Sequence, residues 1–157
     1  MTIPPGVELR GLGLHAILKF YGPITTGLKL GDGVSNLTGH AARDLQIIGT
    51  GTTTVLVDNA LLAKVDRITV SGAWTDGFVF KNTWGSTFTH LATSGSGISH
   101  ACFTVGPIYN ANYASNWDTS NNDVSYNFIV DGSGGASSSR GAIFHCRNVD
   151  HQTRTAG

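Results

Sequence analysis

Ten carboxylates, six histidines and two cysteines are the groups in this 157-residue chain that could carry chemistry. Paired carboxylates support hydrolysis when one is held protonated as an acid and the other ionised. Glu8 stands alone of its type; the remaining acids are Asp32, Asp44, Asp58, Asp66, Asp76, Asp118, Asp123, Asp131 and Asp150. Asp32 lies in Gly-Asp-Gly and Asp76 in Thr-Asp-Gly, both turn contexts. His15, His40, His90, His100, His145 and His151 fall at no metal-ligand spacing, and no aspartate cluster has the spacing of calcium ligands. No metal and no cofactor is therefore expected. Cys102 and Cys146 sit far apart in alternating apolar runs, which reads as two buried thiols. The Gly- and Ser-rich stretch over 132–141 lacks the following helix that a phosphate cradle requires.

The richest stretch is "PIYNANYASNWDTSNND" (107–123), where Tyr109, Tyr113 and Trp117 stand among amides next to Asp118 and Asp123. Aromatic rings there would stack on sugar faces, or make an inter-chain contact, or belong to a passive loop. Asp131, after "NFIV", occupies an outward column with Ser71 and Ser94, facing a groove or flanking a turn.

Those groups must be held by something, and the chain repeats. At a shift of 23, Leu45, Ile68 and Leu91 share a column; so do Ala42, Val65 and Phe88, then Val55, Phe78 and Ala101, then Val57, Phe80 and Phe103. Gly49, Gly72 and Gly95 make another, and Asn36, Asn59 and Asn82 a further one. Each unit alternates apolar and polar residues with period two, which excludes helical solenoids. A unit this short buries its apolar face only by stacking on its neighbours. The shift also sets Arg43 over Asp66, Asp44 over Arg67 and Asp58 over Lys81, opposite charges each time, which specifies register. "IPPGVELRGLG" (3–13) joins at a shift of 38, Val7 with Leu45 and Leu9 with Ile47; Phe128 and Val130 rejoin Leu91 and Thr93 at a shift of 37. That arithmetic predicts one domain over 1–157, with a protruding loop inserted at about 106–123.

Charged residues are only 13 % of the chain, which suits stacked strands. The net charge of zero carries no nucleic-acid footprint. No apolar run approaches a membrane-spanning length, and the N-terminus has no basic and apolar regions of a signal peptide, so neither membrane insertion nor nucleic acid is expected.

"IPPGVELRGLG", "TTGLKLGDG" (25–33), "LQIIGTGTTTVLVDN" (45–59) and "RITVSGAWTDGFVFKN" (67–82) together resemble the pectate-lyase-like superfamily of right-handed parallel β-helices. The likeness is greatest to the domain of bacteriophage tailspikes and related polysaccharide-degrading proteins. It implies an all-β, right-handed, single-stranded parallel β-helix that binds polysaccharide, by hydrolysis or β-elimination where it is catalytic. It further implies a homotrimer in a virion tail or an extracellular setting. The family usually places an amphipathic helix before the "IPPG" strand, so the expectation here is an uncapped part of a longer helix or one capped by its own oligomer. Asp118, Asp123 and Asp131 are the acid–base candidates, and Tyr109, Tyr113 and Trp117 the substrate contacts. The alternative is a non-catalytic structural or adhesion β-helix, which the shortage of unassigned carboxylates favours.

Overall fold

The computed structural model describes residues 1–12, 16–35, 37–93, 97–119 and 124–131, and the backbone of 143–146. Among the described residues twelve strands form one parallel stack: β1 (Thr2–Ile3), β2 (Glu8–Arg10), β3 (Ile17–Leu30), β4 (Leu37–Thr38), β5 (Ala41–Leu61), β6 (Lys64–Trp84), β7 (Thr87–Thr93), β8 (Ala101–Val105), β9 (Tyr109–Asn110), β10 (Tyr113–Asp118), β11 (Tyr126–Val130) and β12 (Ile143–Cys146). Every described pairing is parallel. The result is an all-β solenoid of about five turns, with coils roughly 25 residues apart.

Long strands such as β5 and β6 go round a coil because single left-handed residues bend them. Leu62 and Ala111 lie in that region with Gly39 and Gly85; Asp44, Arg67, His90 and Asn116 form a second column; Asn59 and Asn82 form a third with Gly106. A left-handed residue steps out of the ladder, turns the chain and lets pairing resume, and Asn accepts this backbone more readily than most residues. Three faces result. Face A carries 8–10, 41–43, 64–66, 87–89 and 113–115; face B carries 17–19, 45–48, 68–71, 91–93 and 117–118; face C carries 26–30, 53–58, 76–81, 101–105 and 126–130. A short rung formed by Leu37–Thr38, 60–61, 83–84 and Tyr109–Asn110 links face C to face A.

The inward positions stack as columns down the middle. Leu45, Ile68 and Leu91 are in register on successive coils, as are Ala42, Val65 and Phe88. Toward the later coils the filling becomes aromatic: Phe78 stacks on Phe103 at 5.1 Å, Phe80 on Phe88 at 4.3 Å, and Trp117 on Phe103 at 4.6 Å and Phe80 at 5.2 Å. Stacked rings add to the burial energy of each side chain.

Three register expectations are corrected. The opening strand pairs with residues 33 positions on, Leu9 opposite Ala42, not 38 on with Ile47. Phe103 and Val105, not Ala101 and Phe103, lie under Phe78 and Phe80. Phe128 and Val130 pair with Phe103 and Val105, not with Leu91 and Thr93. Consequently 107–123 holds no protruding loop over its described part. Tyr113–Asp118 is the next face-A and face-B strand, with Trp117 in register with Leu91, 26 residues earlier. Asn36, Ser94, Gly95 and Asp123 lie outside the described residues.

Cys102 is buried, and burial raises its thiol pKa to about 11, offset in part by a hydrogen bond with Thr93. At neutral pH it is a thiol, not a thiolate, and is shielded as well. With Cys146 replaced by Ser, the remaining thiol is expected to ignore a disulfide-exchange reagent under native conditions and to react stoichiometrically in denaturant. Rapid native labelling at near-model-thiol rates would contradict the described packing.

Candidate functional site

On face A the inward residues Ala42, Val65, Phe88 and Ala114 are fully buried, so their neighbours in the alternation point outward. Successive coils thereby line up Glu8, then Ala41 and Arg43, then Lys64 and Asp66, then Thr87 and Thr89. These residues, with Gly6, Gly39, His40 and Leu62 at the corner, line a groove of about 600 Å³. Tyr113, in register with Thr87, extends the same outward row and is 41 % exposed.

The charges of the groove are largely paired. Arg43 stands opposite Asp66 in the ladder but makes its close ion contact with Glu8. Asp66 binds Arg67 and accepts hydrogen bonds from the Thr89 hydroxyl at 2.7 Å and from His90 Nδ1 at 3.0 Å. Arg67 also donates to Asp44 at 2.6 Å, and Arg10 stands 3.4 Å from Asp44 on the other side. Asn116 reaches His90 Nε2 at 3.0 Å, closing a polar ladder along the left-handed corner. The hydrogen bond from Arg67 comes first in holding the Asp44 carboxyl below its ordinary range; the same bond raises Arg67. These exposed pairs are each worth tenths of a kcal/mol and act chiefly on register.

Two groups in the groove are not matched in this way. Lys64 is exposed and has no carboxylate at ion-pair distance among the described residues. His40 is buried, with Nδ1 donating to the Ile3 carbonyl at 2.9 Å; that fixes Nε2 as the lone-pair nitrogen, and it has no hydrogen-bond partner. A buried acceptor without a donor costs on the order of 1–3 kcal/mol. The groove therefore offers a cation and the Thr87 and Thr89 hydroxyls, which suits recognition of a polyhydroxylated molecule, while His40 Nε2 is closed off from solvent. Its two carboxylates are both held by cations, so it presents no unengaged acid–base pair.

The residues expected from sequence are dispersed. Tyr109 is 0 % exposed in the connecting rung, against Phe88 at 5.9 Å and Phe80 at 6.5 Å. Trp117 is 1 % exposed, its indole N–H donating to the Phe88 carbonyl at 2.9 Å. Both rings fill the core and present no face to a ligand; Tyr113 alone of the three reaches the surface. Asp118 is half-buried on face B opposite Ala92. Asp131 follows face C, its N–H bonded to the Val105 carbonyl at 2.8 Å. The structure does not set Asp118 and Asp131 on one face, and Asp123 lies outside the described residues. Asp32 is a turn residue as expected: the Ser35 and Val34 backbone N–H groups bond its carboxyl and lower its pKa.

Sequence reasoning missed one recurring device. Asp66 meets His90, Asp76 meets His100 at 2.7 Å, and Asp58 meets Asn82 at 3.2 Å. Each partner lies 24 residues on: one position past the ladder partner for Asp66 and Asp58, and one position short of it for Asp76, which pairs with Ala101. Aspartate at i with His or Asn at i+24 was the available signal. Comparison of the chain with protein-family models, curated proteins and solved structures finds no match.

Proposed function

We propose that the face-A groove binds carbohydrate and that the chain is a glycan-recognising β-solenoid. The observation that carries this is the exposed Lys64 ammonium in the groove, without an ion-pair partner among the described residues and flanked by the Thr87 and Thr89 hydroxyls. A sugar hydroxyl both donates and accepts, so one polyol accepts from Lys64 and exchanges hydrogen bonds with the threonine hydroxyls. Tyr113 beside Thr87 supplies an exposed ring against which an apolar sugar face packs. The sequence resemblance to tailspike-type β-helices supports the finer form: a homotrimeric phage tail or extracellular protein acting on bacterial surface polysaccharide. The engaged state of Glu8 and Asp66 favours binding without cleavage at this groove.

The test is a panel of capsular and lipopolysaccharide fragments titrated against wild type, Lys64→Ala and Tyr113→Ala. Loss of a charge-assisted hydrogen bond of about 1.5–3 kcal/mol corresponds to an affinity loss of roughly tenfold or more for Lys64→Ala. Melting temperature is expected to stay unchanged, since both side chains are exposed. Undiminished binding by both variants would overturn the assignment. New reducing ends or unsaturated uronate absorbance in the same mixtures would establish cleavage.

A further inference from the structure

Two Asp–His pairs on this solenoid share the Nδ1–carboxylate contact and are completed differently. His90 donates from Nδ1 to Asp66 and accepts at Nε2 from the Asn116 amide, so both ring nitrogens are engaged. His100 gives Nδ1 to Asp76 at 2.7 Å, and its Nε2 has no partner among the described residues. The His100 backbone is pinned on both sides, its N–H to the Thr75 carbonyl at 2.8 Å and its carbonyl to the Tyr126 N–H at 2.9 Å. Because a carboxylate only accepts, His100 carries its proton on Nδ1 and presents a lone pair at Nε2. The side chain is 48 % exposed, so that lone pair is open to solvent and solute. Tyr126 stands edge-on to the imidazole at 5.6 Å and is itself exposed. The site lies at the start of face C, away from the groove.

We infer that His100, oriented by Asp76, is a general base that hydrolyses small carboxylic esters held against Tyr126. A carboxylate that fixes the tautomer and steadies the cation formed on proton uptake is what makes an imidazole an effective base. His100 Nε2 takes a proton from water as the water oxygen bonds to the acyl carbon. The acyl C–O bond then breaks, and the departing alkoxide recovers the proton from Nε2, leaving an alcohol and a carboxylic acid. The ester class follows from the groups present. A glycosidic bond needs a second carboxylate as acid, whereas an ester needs base assistance and a modest leaving group. His100 is the catalytic residue and Asp76 a positioning residue. The inference does not rest on glycan binding at face A.

The experiment is p-nitrophenyl acetate hydrolysis by the full chain at neutral pH. His100→Gln is expected to lower the rate to the buffer background. Asp76→Asn is expected to lower it at least tenfold, with Asp76→Glu restoring much of it. His90→Gln removes an imidazole whose Nε2 is already occupied, and is expected to leave the rate unchanged. Imidazole ¹⁵N shifts are expected to show His100 as the Nδ1–H tautomer in wild type and as a mixture in Asp76→Asn, a readout that mere folding would not move. Full rate in His100→Gln or in Asp76→Asn would overturn the inference. So would an equal loss in His90→Gln, or a wild-type rate no greater than that of free imidazole at the same concentration.

Discussion

Ile68→Asp is expected to abolish folding. Ile68 is fully buried on face B, in register between Leu45 above and Leu91 below. A carboxylate there meets apolar side chains on both adjacent coils, with no donor at hand. Burying an ionised group unpaired is so costly that the group protonates instead, and the neutral acid still leaves polar atoms unsatisfied in an apolar column. The lost aliphatic packing adds about 2–5 kcal/mol on the scale of large core truncations. The sum is comparable with the total stability of about 5–15 kcal/mol that a domain has to lose. Ile68→Val, which keeps the shape and removes one methyl, is the control and is expected to cost about 1 kcal/mol. Far-UV circular dichroism and soluble yield read the difference. A soluble, β-rich Ile68→Asp protein melting within a few degrees of wild type would show that this column is not a core.

Gly72→Ala is expected to destabilise the fold without abolishing it, for a different reason. Gly72 has φ +107°, and a Cβ placed there would stand 2.1 Å from the Gly49 carbonyl oxygen and 2.9 Å from the Gly49 nitrogen. Both are backbone atoms of the preceding coil, held by the ladder on either side, so neither can swing away as a side-chain tip would. The cost combines backbone strain of about 1–3 kcal/mol with opening of the coil spacing. A drop in melting temperature on the order of 10 °C is expected, at about 2–4 °C per kcal/mol for a chain of this size. Gly6 separates the two contributions. It also has positive φ, +71°, but nothing lies within 4 Å of its Cβ position. Gly6→Ala should therefore show the strain alone. Equal melting shifts for the two variants would mean that close coil packing at Gly49 and Gly72 is not a constraint.

The middle of the solenoid was legible in the sequence because two consecutive coils have the same length. From Ala41 to Trp84 every pairing falls at 23, so one sliding comparison finds the apolar, glycine and charge columns together. Outside that window coil length changes, and a fixed shift loses the register. From face B to face C the step from Val70 to Asp76 is six residues, but from Thr93 to Ala101 it is eight. One more residue enters before Tyr109, giving 26 at β9 and β10. A two- or three-residue change moves every later side chain to a wrong column, so an ordinary coil reads as an insertion. The second difficulty is chemical. Trp117 replaces the aliphatic residue of its column, and an aromatic among asparagines resembles a binding loop more than a core position. In space the ring lies over Phe103 and Phe80, where aromatic residues replace aliphatics together. The groove was still less visible: Lys64 and Thr87 carry no motif, and His40 draws notice only through its one bonded and one unbonded nitrogen.

The most direct measurement of the face-A assignment is an amide chemical-shift map of the ¹⁵N-labelled chain titrated with an oligosaccharide that binds in the panel. The amides expected to move are those of Ala41, Arg43, Lys64, Asp66, Thr87 and Thr89. Shifts confined to face B or face C would contradict it.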